Sequence, residues 1–201
     1  AMCSIFGSYY VGEFNELAQL NSYRGQHSYS AALYNGESIE VVEKSLGEFK
    51  FNEIRHGEMH IGHVQSPTTS EKTISSVHPS ELDETLLWHN GIIKEEQLKK
   101  WNYHSNWDTA CLHRHIVDSM LKLSEVDGSF ACVYFKKGIL YMWRNDNCPM
   151  FVRGASFSSV NFKGADKIDA NVIYQLDDKE WVKTNNEFKT NKTFFWTPAD
   201  K

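Results

Sequence analysis

Asp127-Gly-Ser-Phe-Ala-Cys-Val-Tyr-Phe-Lys-Lys-Gly-Ile-Leu-Tyr-Met-Trp-Arg144 holds two apolar, aromatic-rich runs, 130–135 and 139–144, joined through Lys136-Lys137-Gly138. Runs of this length bounded by Gly and Lys predict a β-hairpin. Working outward, short strands are expected at 3–10, 28–34, 37–42, 60–64, 86–89, 150–153, 172–175, 181–182 and 193–196, with Asn35-Gly36 a hairpin turn between the second and third. Helical spacing marks 14–21, 95–100 and 108–123, the last with Asp108 as a candidate N-cap. Many short strands with two or three helices predict an α+β layered fold with mainly antiparallel sheets.

Composition narrows the classes. The 201 residues suit one domain, 1–201, with no linker, repeat or low-complexity tract. A net charge of −5 argues against a general nucleic-acid or anionic-membrane surface. No apolar run reaches the roughly 18 residues of a spanning helix, and the first residues lack the pattern of a secretion signal. Cys3, Cys111, Cys132 and Cys148 show no pairing or metal-like spacing and fit a reducing, cytoplasmic setting.

Two segments carry chemistry. Cys3-Ser-Ile-Phe-Gly7 puts a thiol near the chain start, where a freed α-amine, with an ordinary pKa of about 7.7–8.0, can serve as its base. His89-Asn90-Gly91-Ile-Ile93 offers a side-chain and a backbone N–H to a developing oxyanion. Each has a plain alternative: Cys3 as a buried small hydrophobe, and Asn90-Gly91 as a turn. His56, His60 and His63 have no carboxylate or cysteine partner at ligand spacing, so no metal is expected there. His113 and His115 point to different helix faces. Trp101, Tyr103 and Trp107 are read as core, with a pocket rim or partner surface as the alternative.

Order and spacing add to this. Cys3-Ser-Ile-Phe-Gly7, Tyr23-Arg24-Gly25, Gly62-His63, Thr68, His78-Pro79, His89-Asn90-Gly91-Ile92-Ile93, Asp108-Thr109, Asp127-Gly128-Ser-Phe-Ala131 and Arg144-Asn-Asp-Asn-Cys-Pro149 follow in succession. The series resembles the glutaminase domain of class II, N-terminal-nucleophile glutamine amidotransferases, such as those of glucosamine-6-phosphate synthase and asparagine synthetase. The resemblance implies a four-layer α-β-β-α sandwich and hydrolysis of L-glutamine to glutamate and ammonia through a γ-glutamyl thioester on Cys3. It implies Asn90 and Gly91 as the oxyanion hole and Asp108 as the partner of the substrate ammonium. Thr68 would meet the carboxylate end, Arg24 would brace the nucleophile loop and His78 would line the pocket. No cofactor is implied. With no P-loop or dinucleotide motif, ammonia is expected to pass to a separate synthase subunit.

Three positions depart from the family pattern. Gln65 stands where an arginine usually grips the substrate carboxylate, Ser4 where glycine is common, and His27 where aspartate is common. Losing that charge costs about 1–3 kcal/mol. Gln65 therefore leaves open an amidase for another γ-glutamyl or small amide, or a non-catalytic binding or regulatory subunit. Ala1-Met2 precede Cys3 and are read as a tag remnant and an initiator, so the active form is expected to need their removal.

Overall fold

The computed structural model describes residues 3–66 and 74–191. In chain order these form β1 (Cys3–Ser8), α1 (Val11–Asn21), β2 (Ser28–Tyr34), β3 (Ile39–Leu46), β4 (Met59–Gln65), β5 (Ser80–Leu82) and β6 (Thr85–Asn90). Then come α2 (Glu95–Trp101), α3 (Asp108–Ser119), β7 (Ala131–Lys136), β8 (Ile139–Arg144), β9 (Phe151–Arg153) and β10 (Ser156–Ser158). The last described strands are β11 (Asp166–Lys167), β12 (Val172–Asp177) and β13 (Glu180–Glu187). A seven-stranded sheet runs β11-β9-β10-β1-β4-β2-β3 and a six-stranded sheet runs β13-β12-β8-β7-β6-β5. Their pairings are antiparallel.

Period-two alternation sorts these strands into layers. On β1 and β4, Ile5, Met59 and Ile61 face the second sheet, meeting Trp88, Val133 and Met142 in the largest core cluster. Phe6 and Val64 face the other way and pack with Phe14, Leu17 and Ala18 of α1. On the second sheet, Leu87, Cys132 and Trp143 turn outward to Leu112 and Ile116 of α3, with Leu98 and Trp101 of α2 packed alongside. The layers are helix, sheet, sheet, helix, as expected for the α+β sandwich.

Several boundaries move for identifiable reasons. Asn35 Oδ1 accepts the N–H of Glu37 and of Ser38, so the turn extends and β3 begins at Ile39 instead of residue 37. Helix α3 stops at Ser119 because Met120 and Leu121 take left-handed backbone; Leu123 belongs to a separate 3-10 turn that still reaches the same core. Asp108 is not the N-cap expected of it. Trp107 holds that position, and Asp108 is the first helical residue, with its carboxylate turned to another loop. β5, β10 and β11 were not expected, being two or three residues long and largely polar. The strand expected at 193–196 lies outside the described residues. Among the described residues, no helix is long and apolar enough to cross a membrane.

Candidate functional site

Cys3 opens β1 with its side chain on the inter-sheet face, alternating with Ser4, whose hydroxyl turns back to Asn21 of α1. The antiparallel register sets Gln65 of β4 directly opposite Cys3 and beside Ser28 of β2. Gly25 allows this packing, because a Cβ there would lie 2.4 Å from the Gln65 backbone nitrogen. The thiol donates to the Ser66 carbonyl at 3.6 Å. Burial pushes its pKa up to about 12; the Ser66 bond and the Arg24 guanidinium oppose this, and the Asp108 carboxylate adds to it. Two charged groups from other elements therefore act on this sulfur. The Arg24 Nε is buried with no hydrogen-bond partner among the described residues.

β6 packs against β1 across the sheets and ends at Asn90, on the same inward face as Leu86 and Trp88. The Asn90 carbonyl accepts the thiol of Cys148 at 3.2 Å, while its Nδ2 is buried and has no partner among the described residues. A buried amide donor without an acceptor costs about 1–3 kcal/mol, which a ligand oxygen would recover. Gly91 follows at φ +132°, its Cβ position only 2.1 Å from the Ser129 carbonyl oxygen, so no other residue fits this turn. Ser129 secures the loop on both sides: its hydroxyl accepts from Ile92 N–H at 3.0 Å and its own N–H donates to the Ile92 carbonyl at 2.9 Å. Ile93 N–H donates to Asp108 Oδ2 at 3.1 Å, so the carboxylate is tied to the loop that presents Asn90 and Gly91.

Behind these groups lies a buried polar layer. Gln65 Nε2 donates to the Ser76 carbonyl at 3.0 Å, and its Oε1 meets His78 Nδ1 at 2.9 Å. His78 Nε2 and His89 Nδ1 meet the hydroxyl of Thr109 at 3.1 and 3.0 Å. His89 Nε2 lies 3.3 Å from the Ser129 carbonyl. His63 stacks on His78 with ring centroids 3.8 Å apart, and Trp107 meets the same ring edge-on at 5.0 Å. Burial drops His63 to about 3 and holds His78 well below its ordinary range, where the neighbouring histidines push it further down. His89 is lowered by burial against the pull of the Asp108 carboxylate. These rings are neutral near pH 7.

The structure thus gathers Cys3, Arg24, Gln65, His78, Asn90, Gly91 and Asp108 at one end of the inter-sheet core. Thr68 lies outside the described residues. The Gln65 amide has its oxygen and one N–H committed within the protein. No group of histidine, cysteine and carboxylate residues among the described residues could hold a metal ion. Sequence reading gave no role to Thr109, Ser129, Cys148 or Asn145. The last is fully buried and staples the turn behind Gly91 through Phe130 N–H and the Gly128 carbonyl. A buried polar residue is invisible in composition until its partners are in place.

No family model matches the chain. In sequence it is 27% identical to glutamine–fructose-6-phosphate aminotransferase (isomerizing) of Bradyrhizobium diazoefficiens, over 80% of this chain and 31% of that protein. In structure it matches the glutamine phosphoribosylpyrophosphate amidotransferase of B. subtilis, with a TM-score of 0.66 at 18% identity. It also matches a structure described as the allosteric regulatory enzyme of purine biosynthesis, with a TM-score of 0.67 at 18% identity. Each match covers 94% of this chain and 49% of the other. The chain therefore spans about half the length of those solved structures and under a third of the curated relative. Sequence similarity and shared fold together bear out the resemblance to class II glutamine amidotransferases.

Proposed function

We propose that the chain is a glutaminase: it hydrolyses the side-chain amide of L-glutamine to glutamate and ammonia. The observation that carries this reading is the buried Asn90 Nδ2, without a partner among the described residues, at the same end of the core as the Cys3 thiol and the Asp108 carboxylate. With Cys3 as the first residue, its α-amine takes the thiol proton as Sγ attacks the amide carbon. Asn90 Nδ2 and the Gly91 N–H hold the oxyanion. Collapse breaks the C–N bond, ammonia leaves with the proton, and water then hydrolyses the thioester. Asp108 Oδ2 already accepts Ile93 N–H, which orients the carboxylate for the substrate ammonium. Arg24 braces the nucleophile, Thr68 meets the carboxylate end, and Gln65 and His78 shape the wall behind them. A thiol held near 12 stays protonated without a base, so attack depends on the amine being free.

The ammonia would be passed to an acceptor, a reading supported by the aminotransferase and amidotransferase names of the relatives. A second substrate reading, an amide other than glutamine, is favoured by the commitment of Gln65 to Ser76 and His78.

The test is glutamate release by protein verified to begin at Cys3, beside a Cys3→Ala control. Release that vanishes in the control is expected. Turnover of another amide with glutamine inert would move the proposal to the second substrate. No labelling by a glutamine-like electrophile and no turnover of any amide would overturn it in favour of a binding or regulatory subunit.

A further inference from the structure

The buried layer behind the site has a hydrogen-bond polarity that can be worked out atom by atom. The Ser76 carbonyl can only accept, so the Gln65 amide must turn its nitrogen there and its oxygen to His78. His78 Nδ1 must then carry a proton, and in the neutral ring Nε2 is bare and can only accept. The hydrogen-bond partner of that nitrogen among the described residues is the Thr109 hydroxyl, which has one proton to give. Its oxygen is left to accept from His89 Nδ1–H. The 3.3 Å contact of His89 Nε2 with the Ser129 carbonyl, longer than the 3.0 Å contact to Thr109, is the one a neutral ring leaves unmade. Donation therefore runs from His89 to Thr109, to His78, to Gln65, to Ser76.

The ends of this chain matter for the chemistry. His89 immediately precedes Asn90 on β6 of the six-stranded sheet. Gln65 is the cross-strand partner of Cys3 on β4 of the seven-stranded sheet. Thr109 follows Asp108 at the start of α3. One hydroxyl thus joins the strand bearing the oxyanion donor, the strand beside the nucleophile and the helix bearing the ammonium partner.

We infer that Thr109 is a positioning residue for the glutaminase reaction, its hydroxyl fixing the distance of Asn90 from Cys3 by donating to His78 while accepting from His89. This rests on the function proposed above. Thr109→Val keeps the shape but can neither donate nor accept, leaving two buried imidazole nitrogens without partners. Thr109→Ser keeps both roles.

Two measurements on the chain beginning at Cys3 test this. The first is kcat per active site, counted by covalent labelling of Cys3 with a diazoketone analogue of glutamine. Thr109→Val is expected to lower it about 10- to 100-fold, the scale of a misplaced reacting group, with KM little changed; Thr109→Ser is expected to restore it. A merely structural loss would lower the labelled fraction and leave turnover per labelled site intact. The second needs no activity: ring-nitrogen NMR of the histidines near neutral pH. His78 is expected as the Nδ1–H tautomer, with His78 and His89 both shifted in Thr109→Val and close to the parent in Thr109→Ser. An Nε2–H tautomer at His78, or Val and Ser variants with equal turnover per labelled site, would overturn the inference. A parent that neither labels nor turns over glutamine, yet shows the expected tautomers, would overturn the glutaminase reading and leave the hydrogen-bond chain standing.

Discussion

Asn90 and Gly91 make opposite demands on one turn. The first holds a buried donor with no partner among the described residues, and the second gives up its side chain so that Ser129 can close behind it. Gly91→Ala is therefore expected to force the turn outward, because φ +132° strains any L side chain and the new methyl would overlap the Ser129 oxygen. Glutaminase kcat should fall by about 100-fold, the scale of losing an oxyanion donor, and the urea midpoint should drop as well. Wild-type kinetics in this variant would mean that the turn takes no part in catalysis. At this scale the candidates were legible in the sequence: the order and spacing of Cys3, Asn90, Gly91 and Asp108, with the family resemblance, singled them out, and the fold brings them to one end of the core. The role of Thr109 was not, because a hydroxyl gains its meaning from the two rings that share it. The N-cap expected of Asp108 failed for a related reason. Its carboxylate has a better partner in Ile93 N–H, fifteen residues away, than in its own helix.

Among the elements, the close seam between the Arg24-Gly25 turn and the end of β4 is the one most directly coupled to Cys3. A Cβ on Gly25 would come within 2.8 Å of three backbone atoms of Gln65, which cannot yield as a flexible side chain would. Gly25→Ala is expected to shift the end of β4, and with it the residue paired to Cys3. It should cost about 1–3 kcal/mol of stability together with a loss of turnover; denaturant titration and active-site labelling measure the two. Unchanged stability would show that the seam is slack. The hairpins were readable because Asn35-Gly36 and Lys137-Gly138 supply the positive φ their turns require, the asparagine of the first also bonding its own backbone. The short strands β5, β10 and β11 were not. Three residues or fewer carry no alternation, and such strands exist because a neighbour offers them an edge.

For the molecule as a whole, buried histidines tie stability to pH. From an ordinary 6.5, His63 is held at about 3 and His113, between Ser80 and Thr85, at about 4. His78 and His89 are lowered by burial too. In the unfolded chain these rings gain protons as pH falls through about 6.5, while the folded rings stay neutral. Their contribution is thus fully present above that value and is lost as pH drops towards the folded values, each unit of depression counting about 1.4 kcal/mol. The denaturant midpoint is expected to be clearly lower at pH of about 4.5 than at about 7.5. Equal midpoints would mean that the rings are already charged inside the fold. The layer order was readable through the family resemblance, with which the number of short strands agreed. The pairing of histidines across two sheets was not, since β4, β6 and α3 are brought together only by the packing of the layers.

The place of β1 in the seven-stranded sheet also has a consequence in time. It lies between β4 and β10, the first close behind it in the chain and the second some 150 residues away. During synthesis one edge of this strand can close early, but the other must wait until Ser156–Ser158 have left the ribosome and Ser159 can bond Ile5. Until then the nascent chain exposes an unpaired central edge with the thiol of Cys3 at its end. The end of the molecule that carries Cys3 is assembled from the earliest of its described strands and one of the later ones, so a translational pause before β10 would prolong the interval in which that cysteine stands open to oxidation and the edge to a neighbouring chain.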